Sequence, residues 1–237
     1  MPRSAMVLAA GLGKRMLPIT LTMPKPLVRV CGKALIDYGL DALEAAGVES
    51  AIVNTHHLAD KITAHVADRR QPDIILSDES DQLLDSGGGI VRALPQLGSN
   101  PFFILNADSF WIEGYKSNLS AMAEMFDPQR MDLLLLLAAA GNSVGYAGSG
   151  DFTMDPEGRL QRRSEGTIAP FTYAGAAIAK PELFSDAPQG PFSLNRIFDR
   201  ALEHGRLFGI RLEGLWLHVG TPDAIREAEE AIARSAI

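Results

Sequence analysis

Residues 8–16 form a glycine-rich segment whose composition suits phosphate binding, with the sequence LAAGLGKRM. Its small residues let backbone N–H groups approach a phosphate closely. Arg15 adds a planar, permanently charged group that matches phosphate oxygens in geometry. The segment is therefore a candidate site for a triphosphate.

Two common phosphate motifs do not fit this segment. The dinucleotide fingerprint requires a third glycine where Met16 stands, and the Walker loop requires Ser or Thr where Arg15 stands. Taken alone, residues 8–16 also fit an ordinary glycine-rich turn between a strand and a helix, and that alternative stays open.

Lys25 is the second candidate phosphate ligand, and it stands between two prolines at residues 24–27, PKPL. A proline disfavours helical backbone in the residue before it. We therefore expect Lys25 on an extended segment that points toward the glycine-rich loop.

Asp108 is the candidate metal ligand, at the end of the segment Asn106-Ala107-Asp108 that follows an apolar run at residues 102–105. A carboxylate at this place can hold Mg²⁺ against a triphosphate. An Asp after a strand is also a frequent helix cap, which is the alternative interpretation.

The elements that position these residues alternate between short apolar strands and amphipathic helices. Strands are predicted at residues 6–8, 51–54, 74–76 and 102–105, and the helix around Ile90 is expected to end at Pro95. This alternation predicts an α/β fold, with a doubly wound, mostly parallel (mixed) sheet. The ligand crevice of such a sheet lies beyond the carboxyl ends of its strands.

The second half of the chain has a different pattern. Strands are predicted at residues 133–138, 151–154, 160–163 and 171–178, a helix capped by Ser193 follows, and a strand near Trp216 and a helix from Pro222 come last. No Pro/Ser-rich linker separates the halves. We expect a single compact domain over residues 1–237, with a nucleotide-binding half (1–127) and a second-substrate half (128–237).

Composition narrows the classes of function. The net charge is −7 and no long basic run occurs, which argues against a nucleic-acid partner. The single cysteine, Cys31, excludes an internal disulfide framework and fits the reducing cytoplasm. The longest apolar run, residues 133–140, is too short to span a membrane. Monomer and small homo-oligomer both stay open.

These motifs together resemble the sugar-phosphate nucleotidyltransferase family, which has a Rossmann-like fold. The resemblance covers nearly the whole chain and includes the segments at residues 8–16, 22–28, 32–36, 85–90, 106–108, 173–175 and 216–221. Within the family, the chain is most similar to short uridylyltransferases that act on N-acetylmuramic acid 1-phosphate in cell-wall recycling.

The resemblance implies a set of nucleotide-binding residues. They are Leu8, Ala9, Ala10, Gly11, Gly13, Arg15, Lys25, Gly87, Gly88 and Asn106. Among them, the glycine-rich loop and Arg15 would hold the β- and γ-phosphates, and Lys25 would contact phosphates at the reacting centre. The implied catalytic residues are Arg15, Lys25 and Asp108.

His218 marks a departure from the family pattern. The family has an Asp, a second metal ligand, in a Trp-x-Asp-x-Gly-Thr motif, whereas this chain has His218 at that position. Imidazole suits Zn²⁺ or Mn²⁺ better than Mg²⁺. His218 as a metal ligand, as a partner of a phosphate or water, and as a core histidine all stay open, with Asp151 and Asp223 as substitute carboxylates. Mg²⁺ is the expected cofactor, and Mn²⁺ is possible.

The candidate sugar-binding residues are Asp151, Glu165, Tyr173 and Gly175. The ring of Tyr173 has a face that a sugar can pack against, although an aromatic residue in a strand is more often part of the core. Asn54 and His56 could line the nucleotide pocket or cap the following helix.

The predicted reaction joins UTP to a sugar 1-phosphate, with N-acetylmuramic acid 1-phosphate favoured, and releases pyrophosphate. Competing pairs are GTP with mannose or heptose 1-phosphate and CTP with phosphocholine. A catalytically silent nucleotide-sugar sensor is the alternative from another class, and His218 is its only support.

Overall fold

The computed structural model describes residues 1–235. Its strands are β1 (Ser4–Leu8), β2 (Arg29–Val30), β3 (Lys33–Ala34), β4 (Ser50–Thr55), β5 (Asp73–Asp78), β6 (Phe102–Asn106), β7 (Ser109–Glu113), β8 (Leu133–Ala139), β9 (Phe152–Met154), β10 (Leu160–Arg162), β11 (Phe171–Ala179), β12 (Leu207–Arg211) and β13 (Gly214–His218). Its α-helices are α1 (Leu35–Ala45), α2 (Ala59–Val66), α3 (Asp85–Leu97), α4 (Asn118–Met125), α5 (Asn195–Glu203) and α6 (Pro222–Ser235).

Nine strands form one mixed sheet. Strands β5, β4, β1 and β6 lie side by side and are parallel, and β11 continues the sheet antiparallel to β6. Strand β8 pairs with both β11 and β12. Strand β9 pairs with the first residue of β11, Phe171, and β10 pairs with β9. The predicted α/β fold with a mixed sheet is confirmed.

Helices cover both faces of this sheet, which explains why its central strands are apolar along their whole length. One face packs against α1, α2 and α4, through side chains such as Leu40, Ile62 and Leu119. The opposite face packs against α3 and α5, through Ile90 and Ile197. The carboxyl ends of β1, β4 and β6 are left uncovered at one edge, where the ligand crevice was predicted.

Two predicted helix boundaries need correction. Pro95 lies inside α3 instead of ending it, because Gly98 N–H donates to Leu94 C=O and Leu97 is buried in the core. Helix α5 begins at Asn195 with Leu194 as its N-cap, one residue later than predicted, although the Ser193 hydroxyl accepts a hydrogen bond from Asn195 N–H at 3.3 Å.

Several short strands had not been predicted. Strand β7 starts directly after Asp108 and pairs antiparallel with β13, outside the main sheet. Strand β12 lies parallel to β8, and β2 with β3 forms a small separate ribbon.

No helix within residues 1–235 is long and apolar enough to cross a membrane.

Asp132 joins the ends of three strands in the second half of the sheet. Its backbone bonds Arg206 C=O and Lys180 N–H, and its carboxylate contacts Arg206 Nε at 2.9 Å and Lys180 Nζ at 3.2 Å. Burial alone would raise the pKa of Asp132, but hydrogen bonds from Arg206 and Lys180 outweigh burial and lower it.

We predict that Asp132→Asn lowers the free energy of unfolding at pH 7 by about 1 kcal/mol, because the pairs are partly exposed. A folded-state pKa below the unfolded value stabilises the protein above the unfolded pKa, and that stabilisation is lost as pH falls through the folded value. The difference between the variant and the unaltered chain should therefore shrink below about pH 4. Urea unfolding measured from pH 7 to pH 3 checks this, and a difference independent of pH would contradict it.

Candidate functional site

A cavity of about 250 Å³ opens between the glycine-rich loop and the end of β6. The loop follows β1, and a left-handed residue, Gly13 with φ of 60°, turns it into a short 3₁₀ segment. The cavity is lined by Leu8, Ala9, Gly11, Gly13, Lys14, Arg15, Met16, Lys25, Pro26, Ala107, Asp108 and Gly220. The structure thus brings together the loop, Lys25 and Asp108, as the sequence predicted.

Lys25 and Asp108 form an ion pair at the wall of this cavity. Lys25 Nζ donates to Asp108 Oδ2 at 2.7 Å, and the Lys25 side chain is only 9% exposed. The backbone of Lys25 is not extended as expected, because it begins a 3₁₀ turn of residues 25–27. Pro26 needs no N–H in so short a turn, so its fixed φ is compatible with it.

The glycine-rich loop packs closely on the segment that carries Lys25. A Cβ at position 13 would lie 2.8 Å from Thr20 Cγ2 and 3.1 Å from Lys25 Cβ. The Thr20 hydroxyl donates to Gly13 C=O at 3.0 Å and fixes the turn. Gly13 is therefore required both by its backbone conformation and by the approach of Lys25.

His218 faces Asp108 because of the register between β13 and β7. His218 pairs with Ser109, the residue after Asp108. A Cβ on Gly220 would lie 2.8 Å from His218 Nε2 and 3.3 Å from Arg15 Nη1, so this glycine lets both side chains approach the chain. The structure thus places His218, Arg15 and Asp108 around one point.

The charged residues around this point shift the pKa values of Asp108 and His218. Burial raises the pKa of Asp108, but Lys25, and then His218 and Arg15, lower it more strongly, so the net shift is downward. Burial lowers the pKa of His218; Asp108 opposes this, while Lys25 and Arg15 add to it, and the net shift is downward. At neutral pH the site therefore holds an ionised carboxylate and a neutral imidazole.

A second cavity, of about 480 Å³, adjoins the first at Leu8, Gly11 and Asp108. It lies over the carboxyl ends of β1, β4 and β6, and it is lined by Leu8, Ala10, Gly11, Asn54, Glu79, Leu83, Asp85, Ser86, Asn106, Asp108 and Pro191. Asn54 and Asn106 had been singled out in the sequence. Asp85 and Ser86, at the start of α3, belong to the segment at residues 85–90 that carries the family resemblance. Glu79 had not been singled out, although a residue just after a strand of the sheet is where such a crevice draws its lining.

Gly87 and Gly88 belong to the first turns of α3 and are buried, and neither lines the two cavities. A Cβ on Gly87 would lie 2.3 Å from the Phe192 ring, and one on Gly88 would lie 2.5 Å from Gly190 C=O. These two glycines are thus part of the helix, where Gly87 admits the Phe192 ring and Gly88 admits the backbone of Gly190.

The candidate sugar-binding residues do not form one group. Gly175, with φ of 87°, lies in an irregular stretch of β11 beside Ser109 and Asn106, and so adjoins the crevice. Tyr173 packs edge-on against Phe198, and its buried hydroxyl has no hydrogen-bond partner among the described residues. Burial, and secondarily Asp108, raises the pKa of Tyr173.

The two carboxylates among the candidates have other surroundings. Asp151 accepts hydrogen bonds from Thr172 Oγ1 at 2.6 Å and Tyr173 N–H at 2.9 Å, so it is tied to β11. Glu165 lies exposed in a turn. Asp151 and Asp223, the substitute metal ligands considered above, line neither of the two cavities.

We predict that Gly88→Ala lowers the free energy of unfolding by roughly 1–3 kcal/mol, because the added Cβ meets a backbone oxygen that cannot move aside. Gly39→Ala in α1 is the matched control, since its Cβ would make an ordinary 3.4 Å contact with Leu105 and should cause no loss. Urea unfolding of both variants checks this, and a Gly88→Ala variant as stable as the unaltered chain would contradict the packing role.

Comparison with solved structures supports the fold. A UDP-glucose pyrophosphorylase complexed with UDP-glucose matches with a TM-score of 0.76 at 20% identity, covering 99% of this chain and 100% of that chain. HddC from Yersinia pseudotuberculosis complexed with GMP-PN matches with a TM-score of 0.76 at 22% identity, covering 97% of this chain and 99% of that one. At these identities the likeness shows the fold alone.

Sequence comparison goes further than the fold. The N-acetylmuramate alpha-1-phosphate uridylyltransferase of Caulobacter vibrioides is 47% identical over 99% of this chain and 98% of the relative. The enzyme of the same name from Neisseria meningitidis serogroup B is 32% identical over 95% of this chain and 96% of the relative. The nucleotidyl transferase family model matches residues 4–146. The chain, with its glycine-rich loop beside the Lys25–Asp108 pair, therefore belongs to the nucleotidyl transferase family.

Proposed function

We propose that the chain transfers a uridylyl group from UTP to the phosphate of a sugar 1-phosphate and releases pyrophosphate. The observation that carries this proposal is the ion pair between the buried Lys25 and the partly exposed Asp108, which lies where the loop cavity and the second cavity meet. A positive and a negative group side by side suit a reaction between two phosphates, since one offsets anionic charge and the other can bind a cation.

The reaction requires positioning and charge neutralisation rather than a protein nucleophile. An oxygen of the sugar phosphate forms a bond to the α-phosphorus of UTP, and the bond from that phosphorus to the bridging oxygen of the β-phosphate breaks. Pyrophosphate departs with the electron pair. In this proposal Lys25 contacts the reacting phosphates, while Arg15 and the N–H groups of residues 11–13 hold the leaving pyrophosphate.

Asp108 fits a divalent cation by the chemistry of its donor atoms. Lys25 contacts only Oδ2, so the second carboxylate oxygen can serve as a ligand. Within residues 1–235 no group of three or more His, Cys, Asp or Glu side chains is arranged to hold a metal, which fits an ion bound largely by phosphates and water. Mg²⁺, or Mn²⁺ in its place, would neutralise charge on the triphosphate when bound.

The proposed acceptor is N-acetylmuramic acid α-1-phosphate, the sugar phosphate named for the two relatives described above. Gly175 and Tyr173 are the proposed residues for the sugar side, because β11 runs beside Asn106 and Ser109. Asp151 would act indirectly on the sugar side, through the hydrogen bond that it accepts from Tyr173 N–H. Glu165 would contact the sugar from its exposed turn. The proposed setting is cytoplasmic recycling of peptidoglycan sugars.

Pyrophosphate release over a panel of nucleotides and sugar phosphates tests this function. UTP, CTP, GTP and dTTP are each paired with the 1-phosphates of N-acetylmuramic acid, N-acetylglucosamine, glucose and mannose. The highest kcat/KM is expected for UTP with N-acetylmuramic acid α-1-phosphate. Preference for GTP with mannose 1-phosphate would overturn the substrate assignment, and no turnover with any pair would overturn the enzymatic function.

We predict that Asp108→Asn reduces kcat roughly 10²–10³-fold, since it removes a group that stabilises the transition state through charge. Asp186→Asn is the matched control, because Asp186 pairs with Arg200 on the exposed surface. Pyrophosphate assays at saturating Mg²⁺ check both variants. Near-normal turnover by Asp108→Asn would contradict the metal assignment.

We predict that His218→Asp lowers the Mg²⁺ concentration needed for half-maximal activity severalfold. The change would set a second carboxylate opposite Asp108, and Mg²⁺ prefers oxygen ligands to imidazole. Titration of activity with Mg²⁺ and with Mn²⁺ measures the effect. Unchanged metal dependence in the variant would show that position 218 does not face the metal.

A further inference from the structure

Asn54 and Glu79 form a buried polar pair in the wall of the second cavity. Asn54 lies in β4 and is 3% exposed, and Glu79 follows β5 and is 0% exposed. Helix α3 packs directly on the pair, since a Cβ on Gly89 would lie 2.6 Å from Glu79 Oε1 and 2.7 Å from Asn54 Nδ2. Nothing in the proposed reaction so far uses either side chain.

A continuous chain of hydrogen bonds runs through this pair. Ala9 N–H donates to Asn54 Oδ1 at 2.7 Å, and Asn54 Nδ2 donates to Glu79 Oε1 at 2.7 Å. Leu84 N–H donates to Glu79 Oε2 at 3.0 Å. These hydrogen bonds thus connect the glycine-rich loop with Leu84, the residue before α3. The two backbone segments lie on opposite sides of the cavity.

The Glu79 side chain determines the orientation of the Asn54 amide in this series of hydrogen bonds. Both side-chain oxygens of Glu79 accept hydrogen bonds from N–H donors, so Asn54 must turn its NH₂ group toward Glu79. The amide oxygen of Asn54 is then left for Ala9 N–H. If Asn54 were reversed, two donors would face each other at Ala9, and a buried unpaired donor is costly.

The charge of Glu79 is compensated at longer range. Arg92 lies one turn after Gly89 in α3 and is close enough to Glu79 for their charges to interact. Its Nη1 atom is itself paired with Asp81 Oδ1 at 2.7 Å. The backbone oxygen of Glu79 also bonds the His56 ring at 2.7 Å. Both side-chain oxygens and the backbone oxygen of Glu79 thus have a hydrogen-bond partner, which is the condition under which a buried polar group is tolerated.

We infer that the second cavity receives the nucleobase, and that Asn54 and Glu79 are positioning residues for the nucleotide. The pair fixes the spacing between residues 8–11 and residues 84–86, and so sets the width of this cavity. This inference rests on the proposed function for the identity of the nucleotide. It assigns to Glu79 a role in KM for UTP and in discrimination between UTP and CTP, without contact with the reacting atoms.

An exchange of the two functional groups tests the inference. Glu79→Gln alone faces one donor with another, and Asn54→Asp alone faces one carboxylate with another. In the double variant, the carboxylate now at position 54 can accept from Ala9 N–H and from the amide now at position 79. The oxygen of that amide can accept from Leu84 N–H. Every hydrogen bond is then restored with the charge moved to position 54, and the double-mutant cycle isolates the coupling.

We predict that each single variant raises KM for UTP roughly tenfold and reduces discrimination against CTP, with kcat within about threefold. The double variant should return KM to within about threefold of the unaltered chain. Asn118→Asp is the matched control, because Asn118 is also buried, bonds Glu113 at 2.5 Å and accepts from Glu213 N–H, away from the nucleotide site. It should lower the unfolding temperature and leave KM for UTP unchanged.

The outcomes separate the inference from the proposed function. If the unaltered chain turns over UTP but KM is the same in the single variants, or the double variant is as impaired as the singles, the inference is wrong. If a single variant does not fold, the double variant decides alone: a near-normal KM supports the inference, and a raised KM overturns it. Absence of turnover in the unaltered chain refutes the proposed function, and calorimetric binding of UTP to the same four proteins then decides the inference.

Discussion

The ion pair between the buried Lys25 and the partly exposed Asp108 is the constraint on which the site depends. A lysine that is 9% exposed requires a partner, and Asp108 supplies one at 2.7 Å. The pair joins the turn after the glycine-rich loop to the end of β6, so a local change at either end moves both. Because the lysine is held there before substrates bind, its charge already lies where phosphate charge would gather, and little reorganisation is required.

The remaining elements bring charged and backbone groups to this pair. Strands β1, β4 and β6 end at the same edge, and they deliver the loop, Asn54 and Asp108. The pairing of β13 with β7 brings His218 to Asp108 from the far end of the chain. The Asn54–Glu79 pair holds the glycine-rich loop through the hydrogen bond from Ala9 N–H to Asn54 Oδ1. In this arrangement Asp108 is the one carboxylate that we propose for a metal, where the family pattern has two.

The sequence allowed prediction of the sheet and of the meeting of the glycine-rich loop with Lys25 and Asp108 in one cavity, because these signals are local. Apolar runs marked β1, β4, β5 and β6, and glycine with flanking cations marked the loop. The backbone of Lys25 was predicted wrongly, since the preference imposed by Pro26 is weak beside the burial of the lysine against Asp108. Glu79 was missed because nothing near it distinguishes a buried carboxylate from its exposed acidic neighbours. The packing role of Gly87 and Gly88 depends on Phe192 and Gly190, which no local pattern reveals.

We propose that Asp108 holds a metal only together with the phosphates of the nucleotide. The most direct measurement is equilibrium dialysis of Mn²⁺ against the protein, with and without UTP. We expect little Mn²⁺ to be retained by the protein alone, about one ion per chain once UTP is present, and loss of that ion in Asp108→Asn. Tight Mn²⁺ binding without UTP, or UTP-dependent binding that survives Asp108→Asn, would contradict the claim.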